Sequence, residues 1–152
     1  MLTLPWMSLQ PAEPTEPTAP PATLLVMASR FRLRRWRDVP RFLVDSMRTL
    51  RQVRTTGAAV GVSLSTRPLR REFRTLSAWR DRGALDAWVG TQPHRDAMRR
   101  YRPAMAESAF TFWTVPSDQL PVSWHDAARR LDEAEREKST RVRGRPRQAS
   151  SA

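Results

Sequence analysis

The hydrophobic and polar positions of residues 24–135 repeat with two different periods, one typical of strands and one typical of helices. In residues 24–34 apolar and arginine side chains take opposite faces with period two. The apolar face holds Leu25, Met27, Phe31 and Leu33. This pattern predicts a half-buried strand. Residues 39–53 then place apolar side chains at helical spacing behind Asp38, which predicts an amphipathic helix.

The later segments continue this alternation of strands and helices. Strands are predicted at residues 58–65, 72–79 and 108–115. A second helix is expected to begin after Asp81, to break at Gly90 and to restart after Thr91, and a last helix covers about residues 124–136. The order β-α-β-β-α-β predicts an α+β fold of ferredoxin-like type, with a four-stranded antiparallel sheet plus a C-terminal helix.

The sheet face opposite the two main helices is expected to stay open. Its aromatic and small side chains would leave an apolar patch exposed in a monomer. Pairing of two sheets across a two-fold axis would bury that patch, so a homodimer that forms a dimeric α/β barrel is expected.

Composition restricts the folded part to the middle of the chain. Residues 8–22 are rich in proline, so residues 1–23 are expected to form a disordered tail, although Leu4-Pro5-Trp6 could fold back onto the domain. Residues 136–152 are rich in Arg, Gly, Pro and Ser and are expected to be a second disordered tail. Residues 24–135 form the predicted domain.

The chain is strongly basic. Its 152 residues carry a net charge of +12, and Lys138 is the only lysine among 27 basic residues. Such an arginine bias is typical of a GC-rich genome, and the alternative is attraction to nucleic acid or to an anionic ligand. The segment Arg143-Gly144-Arg145-Pro146-Arg147 resembles the core of an AT-hook, which makes weak nucleic-acid association through the tail one alternative function.

Several classes of chemistry are excluded by what the sequence lacks. It has no cysteine, so disulfides and thiol catalysis are excluded. It has no Gly-rich phosphate loop, no dinucleotide fingerprint and no GxSxG elbow. His94 and His125 lack a third ligand in metal-binding spacing, so no metal site is expected. No segment is apolar enough to span a membrane and no secretory signal is recognisable, so a cytoplasmic protein without a membrane partner is expected.

Residues 24–135 resemble an uncharacterised bacterial branch of the antibiotic-biosynthesis monooxygenase-like group, in the dimeric α/β-barrel superfamily. The motifs that carry the resemblance are Ser77-Ala78-Trp79, Pro93-His94-x-x-x-Met98, Phe112-Trp113-x-Val115-Pro116 and Leu120-Pro121-x-x-Trp124. The resemblance implies the ferredoxin-like fold. The superfamily includes cofactor-free monooxygenases, haem-binding proteins and members without known activity, so it implies no particular catalytic residue.

His94 is the candidate catalytic residue. It lies near a predicted helix N-terminus, where the helix dipole disfavours the imidazolium and keeps the ring neutral near pH 7. A neutral imidazole can act as a general base or bind haem iron. The alternative is a structural histidine that packs against a tryptophan.

Aromatic and arginine side chains are the candidate ligand contacts. The predicted substrate pocket contains Trp79, Trp88, Met98, Tyr101, Phe112 and Trp113. The alternative for these residues is an ordinary core and dimer interface. Arg74 and Arg95 are candidate contacts for a ligand anion, and the alternative is a solvated helix face.

The function expected from these features is cofactor-independent oxidation of an aromatic or polyketide-type substrate in an apolar pocket. No cofactor is then needed, because the substrate anion itself supplies the electrons. The alternative is a non-catalytic protein that binds haem or another hydrophobic ligand.

Overall fold

One antiparallel sheet of five strands organises residues 1–9, 22–57 and 59–143, which are the residues that this computed structural model describes. The strands are β1 (Leu2–Ser8), β2 (Thr23–Leu33), β3 (Ala59–Arg67), β4 (Glu72–Trp79) and β5 (Met105–Pro116). The helices are α1 (Val39–Thr56), α2 (Arg82–Val89), α3 (Gln92–Tyr101) and α4 (Trp124–Arg143). The strand order across the sheet is β1-β3-β4-β2-β5.

The predicted ferredoxin-like fold is confirmed. Strands β2 to β5 and the helices between them follow the order β-α-β-β-α-β, and every neighbouring pair of strands is antiparallel. The predicted break in the second helix separates α2 from α3. The carboxylate of Asp81 caps α2 by accepting a hydrogen bond of 2.8 Å from the amide of Ala84. Gly57 ends α1 in the left-handed conformation, with φ of 60°.

The four expected strands are joined by a fifth, β1, which lies inside the segment predicted to be a disordered tail. It pairs with the outer edge of β3. Pro5 is tolerated because an edge strand needs few amide donors, and the register shifts between Leu4 and Met7 around it. The Pro-rich residues 10–21 lie outside the described part of the chain.

Strand β1 is fixed to the domain by one tryptophan and one serine. The indole of Trp6 lies directly over Gly61, where a Cβ atom would come within 2.2 Å of the ring. The buried Ser63 hydroxyl donates to the Leu4 carbonyl at 2.7 Å and accepts from the indole of Trp124 at 3.0 Å. Strands β1 and β3 and the start of α4 are therefore joined at one point.

The sheet has a helix face, covered by α1, α2 and α3, and an α4 face. The α4 face was expected to stay open, but α4 covers it: Ala127 and Leu131 are completely buried against β2, β4 and β5. The sheet residues buried with them are Leu24, Val26, Ala28, Leu76, Ala78, Ala109 and Val115. The apolar patch that favoured sheet-to-sheet pairing is thus filled by the chain itself, and the homodimer stays a prediction without that support.

Helix α4 continues to Arg143, eight residues past the expected domain end at residue 135. Arg30 of β2 holds it by ion pairs to Asp132 at 2.9 Å and to Glu135 at 2.5 Å. Residues 144–152, which include most of the AT-hook-like segment, lie outside the described part. Among the described residues, no helix has both the length and the apolar character that crossing a membrane requires.

The contact of Trp6 with Gly61 generates a stability prediction. Gly61→Ala displaces the indole, and we expect a loss of about 1–3 kcal/mol in the free energy of unfolding, measured by urea denaturation. In a Trp6→Ala background the same change should cost much less, because the ring that it displaces is gone. Equal costs in the two backgrounds would contradict the contact.

Candidate active site

A cavity of about 690 Å³ lies between the helix face of the sheet and helices α1, α2 and α3. Period-two alternation directs the apolar side chains of β2 and β4 towards it, and each helix contributes its inner face. The apolar lining includes Met27, Phe31, Leu50, Trp79, Trp88 and Met98. The volume is that of a site for an organic molecule of moderate size.

Ring contacts hold the aromatic part of the lining in fixed orientations. The centroid of Phe42 is 4.5 Å from that of Phe73 and 4.9 Å from that of Tyr101. Trp79 stacks on Trp88 at 6.4 Å, and the indole N–H of Trp79 donates to the Ser77 hydroxyl at 2.9 Å. The walls therefore present packed aromatic surfaces, which suit a flat ligand.

Most of the predicted pocket residues meet in this cavity. Its lining includes Trp79, Trp88, Met98, Tyr101 and Phe112. Trp113 requires a correction, because it follows Phe112 in β5 and strand alternation directs it to the α4 face. There it packs on the core beneath α4, with the guanidinium of Arg130 at 4.7 Å from its ring centroid.

His94 lines the cavity at the N-terminal end of α3. Its Nδ1 lies 3.2 Å from the Val89 carbonyl oxygen. Because a carbonyl only accepts, Nδ1 carries the proton, and Nε2 of the neutral ring is the basic nitrogen. Burial lowers the pKa of His94, partly offset by the bond to Val89, so the ring is neutral at pH 7. The ring lies 6.1 Å from Trp88, so the structural packing expected as the alternative is also present.

A second polar group, not expected from the sequence, joins α1 to α3. The Tyr101 hydroxyl donates to Oδ2 of Asp45 at 2.6 Å, and Arg100 donates to the same oxygen at 3.0 Å. The bond from Tyr101 is the main reason that the pKa of Asp45 is lowered. Burial, reinforced by this bond, raises the pKa of Tyr101 to about 12. Asp45 is the only acid in α1, which singles it out in the sequence but does not indicate its partner.

The predicted anion contacts require a correction. Arg74 borders the cavity, but its Nε bonds to Glu72 at 2.6 Å, and both side chains belong to the strand positions of the α4 face. Arg95 is exposed and does not line the cavity. The arginine that does reach the lining beside the aromatics is Arg82, which pairs with Asp86 at 3.0 Å and lies 4.6 Å over the ring of Phe112.

Metal-binding side chains do not cluster in the described residues. Within 1–9, 22–57 and 59–143, no three His, Cys, Asp or Glu side chains come close enough to share an ion.

The fold is ferredoxin-like, and solved structures of antibiotic biosynthesis monooxygenases share it. SnoaB, a cofactor-independent oxygenase from Streptomyces nogalater, superposes with a TM-score of 0.52 at 14% identity, over 65% of this chain and 98% of that one. An antibiotic biosynthesis monooxygenase superposes with a TM-score of 0.52 at 14% identity, over 61% of this chain and 97% of that one. A conserved protein from Methanosarcina mazei Go1 superposes with a TM-score of 0.54 at 10% identity, over 60% of this chain and 92% of that one. At these identities the likeness concerns the fold alone.

Residues 47–145 match the family described as Domain of unknown function (DUF3291), and the chain belongs to that family. No curated protein matches the chain. The expected resemblance to an uncharacterised family is thereby confirmed, and solved monooxygenase structures share the fold of this chain.

Tyr101 is the only tyrosine of the chain, so phenolate absorbance reports on it alone. We expect it to ionise near pH 12 in the folded protein, against about 10 for a free tyrosine. The raised pKa contributes to the free energy of unfolding. This contribution is fully present below pH 10 and is lost as the pH rises through about 12. In Asp45→Asn the titration should move to lower pH, because the carboxylate is gone. If Tyr101 of the wild type ionises near pH 10 while circular dichroism shows that the protein is still folded, the buried contact of its hydroxyl with Asp45 is contradicted.

Proposed function

We propose that this protein is an oxygenase that needs no cofactor and oxidises a flat, electron-rich phenol or polyketide-type substrate in the cavity. The observation that carries the proposal is a rigid aromatic cavity of about 690 Å³ that holds one neutral histidine. The shared fold with SnoaB, a cofactor-independent oxygenase, supports the same class of reaction.

The charges of the lining favour a ligand without net charge. Two arginines and two aspartates border the cavity, and each is already paired: Asp45 with Tyr101 and Arg100, Arg74 with Glu72, and Arg82 with Asp86. A ligand carboxylate would find no unpaired cation among these side chains. A phenol or a quinol avoids that cost, since burying an unpaired charge is unfavourable.

His94 supplies the base in this proposal. Nε2 removes the proton of a substrate hydroxyl, and the resulting anion is electron-rich enough to reduce dioxygen. When a ring methylene becomes a carbonyl, each turnover consumes one molecule of dioxygen and releases one molecule of water. One oxygen atom enters the substrate, the other leaves as that water with the two hydrogens of the substrate carbon, and His94 returns its proton to the substrate hydroxyl. The substrate carbon loses both of its hydrogens and supplies the four electrons that reduce dioxygen.

Tyr101 and Asp45 form a second polar contact for the same substrate. Tyr101 lies seven residues after His94, which corresponds to about 10 Å along α3. Its hydroxyl hydrogen is committed to Asp45, so the free lone pair of the oxygen accepts a hydrogen bond from the substrate. A ligand that extends over two or more fused rings would meet both groups, which would orient it relative to His94.

The role of His94 is tested by oxygen uptake with a panel of electron-rich phenols and quinols. We expect His94→Ala to lower kcat about 10²–10⁴-fold, the usual contribution of a general base. His125→Ala is the matched control, because His125 is exposed on α4 and does not line the cavity. No uptake with any member of the panel, or equal rates in the two variants, would contradict the proposal.

Haem binding without turnover is the alternative function, and one feature of the site favours it. A histidine that donates Nδ1–H to a carbonyl is arranged as metal-ligating histidines are. The pairing of the lining arginines argues against it, because the propionates of haem would need cations.

Titration with haemin separates the two functions. We expect no saturable Soret shift in the wild type, because the paired arginines of the lining leave no cation for the haem propionates. A shift that His94→Ala abolishes would establish a haem protein with His94 as axial ligand and would overturn the proposed mechanism.

A further inference from the structure

Most of the exposed large apolar side chains lie in two segments of the chain. Of the eleven large hydrophobic residues that are exposed in the described chain, seven lie in two segments, residues 1–4 and 36–47. They are Met1, Leu2, Leu4, Trp36, Leu43, Val44 and Met47. Large contiguous apolar patches are uncommon on soluble monomers and mark sites of interaction.

On α1 these residues form one stripe. We call Leu43, Val44 and Met47 the α1 stripe. They lie within about 100° of the helix circumference at 100° per residue, and Arg51 lies in the same sector. Val44 is 51% exposed and Leu43 is 43% exposed. The inner face of the same helix buries Phe42, Leu50 and Val53. Helix α1 therefore has a second, exposed apolar surface in addition to the face that is buried in the core.

The stripe is flanked by positive charge. Helix α1 carries four arginines and a single acid, Asp45, which is already bonded to Tyr101 and Arg100. The arginines are Arg41, Arg48, Arg51 and Arg54, and all four are exposed. Aliphatic side chains on a helix with exposed arginines are the pattern of helices that lie in the interface of an anionic bilayer.

We propose that the α1 stripe, together with Leu2 and Leu4 of β1, is a docking surface for an anionic lipid membrane. This revises the expectation of no membrane partner, which considered only segments that span a bilayer; peripheral docking needs no such segment. A second copy of the chain would bring like charges together. Nucleic acid would use the arginines but leave the exposed aliphatic side chains without a partner.

The surface is continuous with the cavity. Leu2 and Leu4 of β1 and Leu43 and Met47 of α1 are exposed and also line the cavity. A hydrophobic ligand dissolved in the bilayer would therefore pass along apolar side chains from the membrane to the site. Docking itself does not depend on the proposed oxygenase reaction.

The experiment is flotation of the full chain with vesicles of equal parts phosphatidylglycerol and phosphatidylcholine, beside vesicles of phosphatidylcholine alone. We expect binding to the anionic vesicles only, and a steep loss when salt rises from about 0.1 M to about 1 M, where the Debye length falls from about 10 Å to about 3 Å. Absence of binding, or equal binding to both vesicles, overturns the proposal.

Paired variants locate the surface. Val44→Glu and Arg51→Glu should each weaken vesicle binding about fivefold or more, since one unit of charge near an anionic surface contributes about 1 kcal/mol. The controls are Leu69→Glu, the most exposed leucine, and Arg136→Glu on α4, which should bind as the wild type does. Neither Val44 nor Arg51 lines the cavity, so oxygen uptake distinguishes loss of docking from loss of the site.

Two further outcomes would overturn the proposal. One is equal weakening by Leu69→Glu, which would mean that any added negative charge has this effect. The other is that duplex DNA displaces the vesicles and binds the Val44→Glu variant as tightly as it binds the wild type. Helix α1 would then bind polyanions through its arginines, and the aliphatic side chains would take no part. Circular dichroism melts of all four variants confirm that each is folded.

Discussion

Burial of the α4 face of the sheet is the interaction on which the rest of the structure depends. Leu131 and Ala127 complete a core with Leu24, Val26 and Leu76. The core on the α4 face is packed without buried side chains from α1, α2 or α3. Stability therefore does not require α1, α2 and α3 to close fully onto the sheet, and the space beneath them is kept as a cavity. An apolar cavity costs contact energy, which a core elsewhere must offset.

The polar groups around the cavity are arranged so that little charge is free. Tyr101 and Arg100 both donate to Asp45, while Arg82 is shared between Asp86 and the ring of Phe112. Such pairing lets ionised side chains border an apolar space without large desolvation costs. A charged ligand in this cavity would have to displace an existing partner.

The sequence was sufficient for the fold because the elements depend on local periodicity and caps. Period two identified β2, and Asp81 and Gly90 set the limits of α2. Two features depended on contacts distant in the chain. Strand β1 is held by pairing with β3 and by Trp6 over Gly61, 55 residues away, and the local sequence indicated only that Leu4-Pro5-Trp6 could fold back, not that it forms a strand. Helix α4 occupies the sheet face that the same composition had suggested for a partner chain.

The site could be predicted only in part, for the same reason. The aromatic residues were identified by type, but which neighbour faces the cavity depends on strand register, so Phe112 lines it while Trp113 packs beneath α4. The bond between Asp45 and Tyr101 spans 56 residues, and no local spacing indicates it.

The proposed role of His94 as the base follows from comparing the titratable groups that border the cavity. Asp45 has a lowered pKa and accepts bonds from Tyr101 and Arg100, so it is a weak base. Tyr101 holds its proton to about pH 12. Asp86 is paired with Arg82. His94 differs from all of these, because its bond to Val89 uses the protonated nitrogen and leaves the basic nitrogen for a ligand. Of the titratable side chains described around the cavity, His94 therefore combines a neutral state at pH 7 with an available lone pair, which is what proton removal from a weakly acidic phenol requires.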